Sequence, residues 1–356
     1  MVKSLMALVL SCISLVVAAQ GSELEALRQD GQWKQIRMRV EGWYQTSPGD
    51  PFALLWISRV KQAFGDPAGA LALARAAVAK RPDVAELQAQ LASAAHVNLA
   101  VIEGHWEQMT LVREMKQAGE AALAIQPDHR DAARLMVAFY MQVPAILGGG
   151  KTKALALSQK LAGVQPSLGL LLQADIAGYQ KEWAEARRLA RGALSKDPMA
   201  IDILLKLGGI DLAAEPKGFD EALEMYQRVL AAHPRHITAH AQVAAIFAAQ
   251  QNWNRLDEAL MTSRRALSGN QLPGYRAAEA ILLHGQSLAR AEGLFKAYLN
   301  EAPEGDAPDH ATAHWRLGQV KEKLGKRAEA QAEFNEALKA RPTFREAKAD
   351  LQRLGQ

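Results

Sequence analysis

The chain has 356 residues, enough for two ordinary domains or one extended repeat array. About half of it is apolar (49%), aromatics are few (6%), and good helix formers, Ala above all, outnumber Val, Ile and Thr. The formal charge of +4 is spread along the chain with no Lys/Arg cluster interleaved with aromatics, which argues against a nucleic-acid partner, and a single cysteine excludes a disulfide framework.

The first stretch, MVKSLMALVLSCISLVVAAQG, puts Lys3 ahead of an apolar run from Leu5 to Val17. Val17 and Ala19 are then placed for cleavage before Gln20. This is the three-part layout of a secretory signal peptide over residues 1–19. The run is shorter than the roughly 20 apolar residues that span a bilayer. Cys12 lies inside it, and VLSC makes a poor acylation site because the apolar stretch continues past the cysteine. Cleavage would leave residues 20–356 without a thiol and with no membrane span, suited to an oxidising periplasm or cell envelope. A retained anchor and a lipoprotein are the alternatives.

Beyond the leader the chain repeats itself. ALARAAVAKRPDVAEL (72–87), RLARGALSKDPMAIDI (188–203) and AEFNEALKARPTFREA (332–347) each read as an amphipathic helix, a charged residue and proline, then a new helix. Pro48, Pro82, Pro127, Pro166, Pro198, Pro234, Pro303 and Pro342 recur at 32 to 45 residues, with one double gap where Ser268 stands in. Proline has no N–H to continue a helix, and its fixed φ suits the first turn of the next. Each unit is thus a helix, a short turn and a second helix, and stacking the units forms one continuous core. Ala70, Ala154, Ala186, Ala222, Ala291 and Ala330 share the small position where paired helices approach, and Trp33, Trp183, Phe219 and Trp253 open second helices. Gly31, Gly65 and Gly325 mark the turn between. Met225, Phe295, Tyr298 and Phe334 fall at helical spacing and read as core. The unit at 85–127 is over-long, with a long helix expected at 85–103 that could fill part of a groove.

PAILGGGKTKALAL (144–157) fits a relaxed phosphate-loop pattern through Ala145, Gly150, Lys151 and Thr152. Such a loop needs a preceding strand and a second strand that supplies an acidic metal ligand. Upstream, Ala133, Met136, Val137 and Tyr140 repeat at helical spacing after a capping Asp131, so an ATPase is disfavoured. Residues 143–151 instead form an over-long turn within a repeat. Gly148, Gly149, Gly150, Lys151 and Thr152 stay candidates for an anion contact at a helix N-terminus.

His233, His236 and His240, and then His310 with His314, include pairs spaced for zinc on one helical face. No third ligand accompanies them, and both pairs occupy the same repeat positions, which points to packing. No G-x-S-x-G serine occurs, and Glu221 with Glu224 read as solvated. No catalytic residue, cofactor or metal is expected, and the chain is not expected to be an enzyme.

The last unit, TAHWRLGQVKEKLGKRAEAQAEFNEALKARP, carries Leu317, Gly318, Gly325, Ala330, Phe334, Ala337 and Pro342. It resembles the tetratricopeptide repeat (TPR) pattern W-x-x-L-G-x-x-Y, then A-x-x-x-F-x-x-A and proline. It departs where His314, with Trp315 beside it, takes the first aromatic place and Lys321 replaces Tyr. The over-long turn is similar to that of bacterial TPR proteins of exported type. The resemblance covers nearly all of residues 22 to 342 as about nine units, and TFREAKADLQRLGQ then reads as a cap helix. It implies an all-α, right-handed superhelical solenoid over 20–356, acting as a non-catalytic protein–protein interaction scaffold in the bacterial cell envelope. An accessory subunit of an envelope transport or secretion system, or an anion or small-ligand receptor, is the alternative. In such arrays the first helices line a concave groove. By phase these residues are Phe52, Leu55, Arg59, Arg134, Met141, Leu171, Asp175, Tyr179, Leu205, Trp315 and Gln319. The set is mostly apolar and lacks a Lys/Asn/Arg grip for a C-terminal carboxylate, so the expected partner is a protein or peptide segment held by apolar contacts.

Overall fold

The computed structural model describes residues 21–214 and 217–355; the expected leader at 1–19 lies outside them. Every regular element described is a helix. After α1 (21–29) come α2 (Trp33–Thr46), α3 (Pro51–Ala63), α4 (Pro67–Lys80), α5 (Ala85–Asn98), α6 (His105–Ile125) and α7 (Arg130–Gln142). A 3-10 turn (Ala145–Leu147) precedes α8 (Lys151–Ala162), α9 (Pro166–Tyr179), α10 (Trp183–Lys196), α11 (Ile201–Ala213) and α12 (Phe219–Ala232). Then follow α13 (Ile237–Ala249), α14 (Trp253–Ala266), α15 (Leu272–His284), α16 (Leu288–Leu299), α17 (His310–Lys323), α18 (Arg327–Ala340) and α19 (Arg345–Gly355).

The chain divides into two compact units, Val40–Ala232 and a second made of the residues up to Arg39 together with His233–Gln356. In the central unit the hairpins α3/α4, α5/α6, α7/α8, α9/α10 and α11/α12 stack in chain order. In the flanking unit α13/α14, α15/α16 and α17/α18 do the same, closed by α19.

The repeat positions behave as their side chains require. Ala70, Ala154, Ala186, Ala222, Ala291 and Ala330 are all fully buried. Trp33, Trp183, Phe219 and Trp253 each begin a second helix. Gly208 and Gly318 let an aromatic ring lie on the helix backbone. A Cβ there would stand 2.7 Å from Tyr226 and 2.5 Å from Phe334, respectively. Gly31, Gly65 and Gly325 take φ of +76°, +80° and +76° at the turn, a left-handed conformation that glycine reaches without a Cβ clash.

Two expectations need correction. Of the prolines, Pro166 opens a helix, whereas Pro48, Pro82, Pro127, Pro198, Pro234 and Pro342 sit in two-residue turns outside both helices. Their effect is exerted backwards. The preceding residues Arg81, Gln126, Asp197 and Arg341 are driven to φ of −141°, −130°, −143° and −143°, which ends the helix there. The unit at 85–127 also spends its extra length differently. α5 stops at Asn98, and the surplus goes into a 99–104 connection and the 21-residue α6. Asn98 donates to the Pro67 carbonyl and fixes that end. No long helix at 85–103 reaches across a groove.

Residues 30–34 dock onto turns far along the sequence in the flanking unit. The Asp30 carbonyl accepts from the Ile237 amide at 2.9 Å, and its carboxylate meets His233 Nδ1 at 2.8 Å. Gln32 donates to the Arg235 carbonyl, Lys34 Nζ donates to the Gly269 carbonyl, and the Lys34 amide donates to the Glu304 carboxylate. Buried Glu304 also accepts from Asn270 at 3.1 Å. Burial pushes its carboxyl up, against the amides of Lys34 and Gly305.

Candidate functional site

First helices of the flanking unit leave a cleft of about 850 Å³. Arg276, Glu279, Ala280 and Leu283 of α15 line it at i, i+3, i+4 and i+7, one face of the helix. Gln242 and Ala245 of α13, Arg316, Gln319, Glu322 and Lys323 of α17, and Arg353 of α19 complete the wall. Leu283 is 71% exposed, a large apolar side chain left bare inside a charged surround.

The charges are unevenly matched. Glu279 accepts from Arg276 at 2.7 Å and lies 3.6 Å from Arg316. The Arg316 guanidinium sits 4.2 Å over the Trp315 ring, and its buried Nε has no hydrogen-bond partner. Lys323 Nζ donates to the Leu282 carbonyl. Arg353 is bound by Glu322 at 2.7 Å and Asp350 at 3.1 Å. Burial raises the Asp350 carboxyl, but bonds from Trp315, Gln319 and Arg353 outweigh it and hold the group below the ordinary carboxylate range.

Behind this wall the departure from tyrosine at 321 is compensated. Buried Lys321 donates to Glu333 at 2.8 Å and pairs with Glu329, while His314 Nδ1 meets Glu333 at 2.6 Å. Burial pushes Glu333 up, but His314 and Lys321 bring it below its usual value.

The groove residues expected by phase divide into four groups. Leu55 (2% exposed) and Leu171 (0%) are core and face no partner, because both are enclosed within the stacked helices. Arg59, Arg134 and Asp175 are spent in ion pairs that staple successive first helices of the central unit. Arg59 and His129 share Glu86, and Arg134 and Lys206 share the buried Asp175 at 3.1 and 2.6 Å. Phe52, Met141 and Leu205 are half-buried; Tyr179 is exposed and accepts from Gln142. In the flanking unit Gln319 does line the cleft, bonded to Asp350 at 3.1 Å, whereas Trp315 packs edge-on against Phe344.

Arg276, Glu279, Leu283, Arg316 and Lys323 line the cleft and are not among the residues expected by phase. The double gap between Pro234 and Pro303 hid the register of α15. In α17 the displaced aromatic pointed to position 315 where 316 faces the cleft, and one residue turns a helix by about 100°.

The glycine turn follows a helix, α7, as expected. Its amides are consumed internally. Gly148, Gly149 and Gly150 donate to the carbonyls of Ala145, Pro144 and Tyr140, and Lys153 Nζ donates to the Gly148 carbonyl. The three glycines therefore offer no cradle of amides to an anion, and only the exposed Lys151 and Thr152 face outward. The cap of α7 is His129, accepting from the Ala132 amide, in place of Asp131. His236 caps α13 in the same way. His240 and His310 bond to the Pro234 and Glu301 carbonyls, so the spaced pairs are engaged separately.

The tetratricopeptide repeat family model matches residues 311–344, which span α17, α18 and the turn beyond. No curated protein sequence matches the chain. Similar solved structures include a human IFIT1 dimer with PPP-AAAA, 14% identical over 89% of this chain and 76% of that one, at a TM-score of 0.50. Yeast Tom70 is 12% identical, covering 96% of this chain and 88% of the other, with a TM-score of 0.47. A tetratricopeptide repeat protein from Parabacteroides merdae is 13% identical, over 86% of this chain and 99% of its own, with a TM-score of 0.45. These likenesses are of fold alone.

Proposed function

From the tetratricopeptide repeat match at residues 311–344, we propose that the chain is a tetratricopeptide repeat protein and a non-catalytic adaptor of the cell envelope, holding a segment of a partner protein in the cleft of its flanking unit. The observation that carries this reading is Leu283. A single exposed leucine is ordinary on a protein surface; this one, 71% exposed, lies in a cleft of about 850 Å³ among charged side chains, where a partner segment can cover it. The charged rim would orient the partner, while apolar contact supplies the attraction. Rigid presentation of the surface is the whole mechanism; no bond is made or broken.

The envelope part of the proposal is supported by the layout of residues 1–19, and no helix among the described residues is long and apolar enough to cross a membrane. The test places a photo-crosslinking amino acid at position 283 in intact cells, with exposed Met199 as the control position. A discrete adduct at 283 and none at 199 is the expected result. Equal labelling at the two positions would remove the cleft reading. N-terminal sequencing of the same material should begin at Gln20, and a start at Met1 would remove the cleaved leader.

A further inference from the structure

The charges around Leu283 do not balance. Of the two carboxylates lining the cleft, Glu322 is held by Arg353, which leaves Arg276, Arg316 and Lys323 with Glu279 alone, shared by the two guanidinium groups at 2.7 and 3.6 Å. Arg316 donates to Gln319 at 3.0 Å, but its buried Nε makes no hydrogen bond and reaches Glu279 only at 3.6 Å, and the Lys323 ammonium donates to a backbone carbonyl with no ion pair among the described residues. Arg353, by contrast, is satisfied by Glu322 and Asp350. An anion is what this part of the wall lacks.

The spacing says which kind of anion-bearing ligand fits. Arg276 and Leu283 stand seven residues apart on α15, about 10 Å along the axis. Three residues of extended chain cover about the same distance. A nucleic acid fits poorly, because Lys323 is the one cleft cation without an ion pair among the described residues, too few for a run of successive phosphates. The nearby Trp315 is already covered by Arg316 and Phe344 and offers no face for base stacking.

We propose that the cleft selects a protein segment with an acidic residue about three positions from an apolar one. The carboxylate bridges Arg276 and Arg316, the apolar side chain covers Leu283, and Lys323 attracts a second acid beside it. This proposal rests on the cleft being the partner site.

The experiment measures fluorescence anisotropy of labelled decapeptides with the full chain. One carries a glutamate three residues before a leucine and a second glutamate next to that leucine, where Lys323 lies beside the Leu282 carbonyl; a second has lysines for the glutamates, and a third has glycine for the leucine. A ten-nucleotide adenine RNA is the fourth probe. The glutamate–leucine peptide is expected to bind best, with affinity falling as salt rises. About a tenfold or greater loss is expected in Arg276→Gln and in Lys323→Gln, whose thermal unfolding should match the wild type. Equal or tighter binding of the lysine peptide or of the RNA overturns the proposal, as does no loss in either variant. Crosslinking at position 283 separates the two failures. An adduct with the lysine peptide alone leaves the adaptor reading standing and sinks this one, whereas no adduct with any peptide removes both.

Discussion

His129 and His236 occupy the same place in their repeats, each capping a first helix through Nδ1, yet burial and neighbours push them in opposite directions. Burial holds His236 well below its usual value, from 6.5 to about 4, and the nearby Asp30 does not offset it. Burial also works against the charged form of His129, but the Glu86 carboxylate 2.8 Å away outweighs it and raises the group. The signs follow from linkage. The unfolded chain takes up a proton that folded His236 refuses, so its contribution is complete above about pH 6.5 and is lost as pH falls toward 4. The raised group, His129, contributes below its unfolded value and loses that contribution as pH rises through the folded one. An asparagine at 236 keeps a cap acceptor without titrating. His236→Asn is therefore expected to flatten the decline in stability between pH 6.5 and 4, read from urea midpoints at each pH. A decline as steep as in the wild type would assign the loss to other groups. His236 was visible in the sequence within a spaced pair and His129 was not singled out; neither could be read as a cap, because a cap depends on where the preceding helix stops.

At the scale of elements, one buried carboxylate ties the junction at residues 30–34 to the turns around 270 and 305. Glu304 receives the Lys34 amide, Asn270 and its own neighbour Gly305. Glu304→Ala leaves the Lys34 amide and Asn270 without their acceptor, at a cost of about 1–3 kcal/mol. Faster amide exchange at 30–36 than in α17 is the expected accompaniment, measured by mass spectrometry. Unchanged exchange there would mean that the other contacts at Asp30 and Gln32 hold the junction alone. Sequence periodicity foresaw the first helical pair but not its docking, since Asp30 and His233 are brought together with no local pattern linking them. The same distinction explains the prolines. Their recurrence marks the boundaries in the sequence, while their action on the preceding residue appears only in the dihedrals of Arg81, Gln126, Asp197 and Arg341.

Over the whole molecule, a repeat array derives its stability from each hairpin and its immediate neighbours. Gly208 packs on Tyr226 and Gly318 on Phe334, with no packing partner in common. Adding one methyl at either glycine forces a buried ring to move, and each alanine variant is expected to lose about 1–3 kcal/mol. The losses should add in the double variant to within about 0.5 kcal/mol in chemical denaturation. A much larger deviation would show cooperation beyond nearest neighbours. Period, helix pairing and the small positions were legible in the sequence because they depend on contacts within a hairpin, which recur at fixed spacing. Tertiary structure alone decided which first-helix residues face outward, because an error of one residue turns a side chain by about 100°. It put Leu171 in the core, tied Arg134 to Asp175, and left Leu283 bare among Arg276, Arg316 and Lys323. The fold therefore follows from a local repeat, while the cleft follows from the register in which the repeats stack.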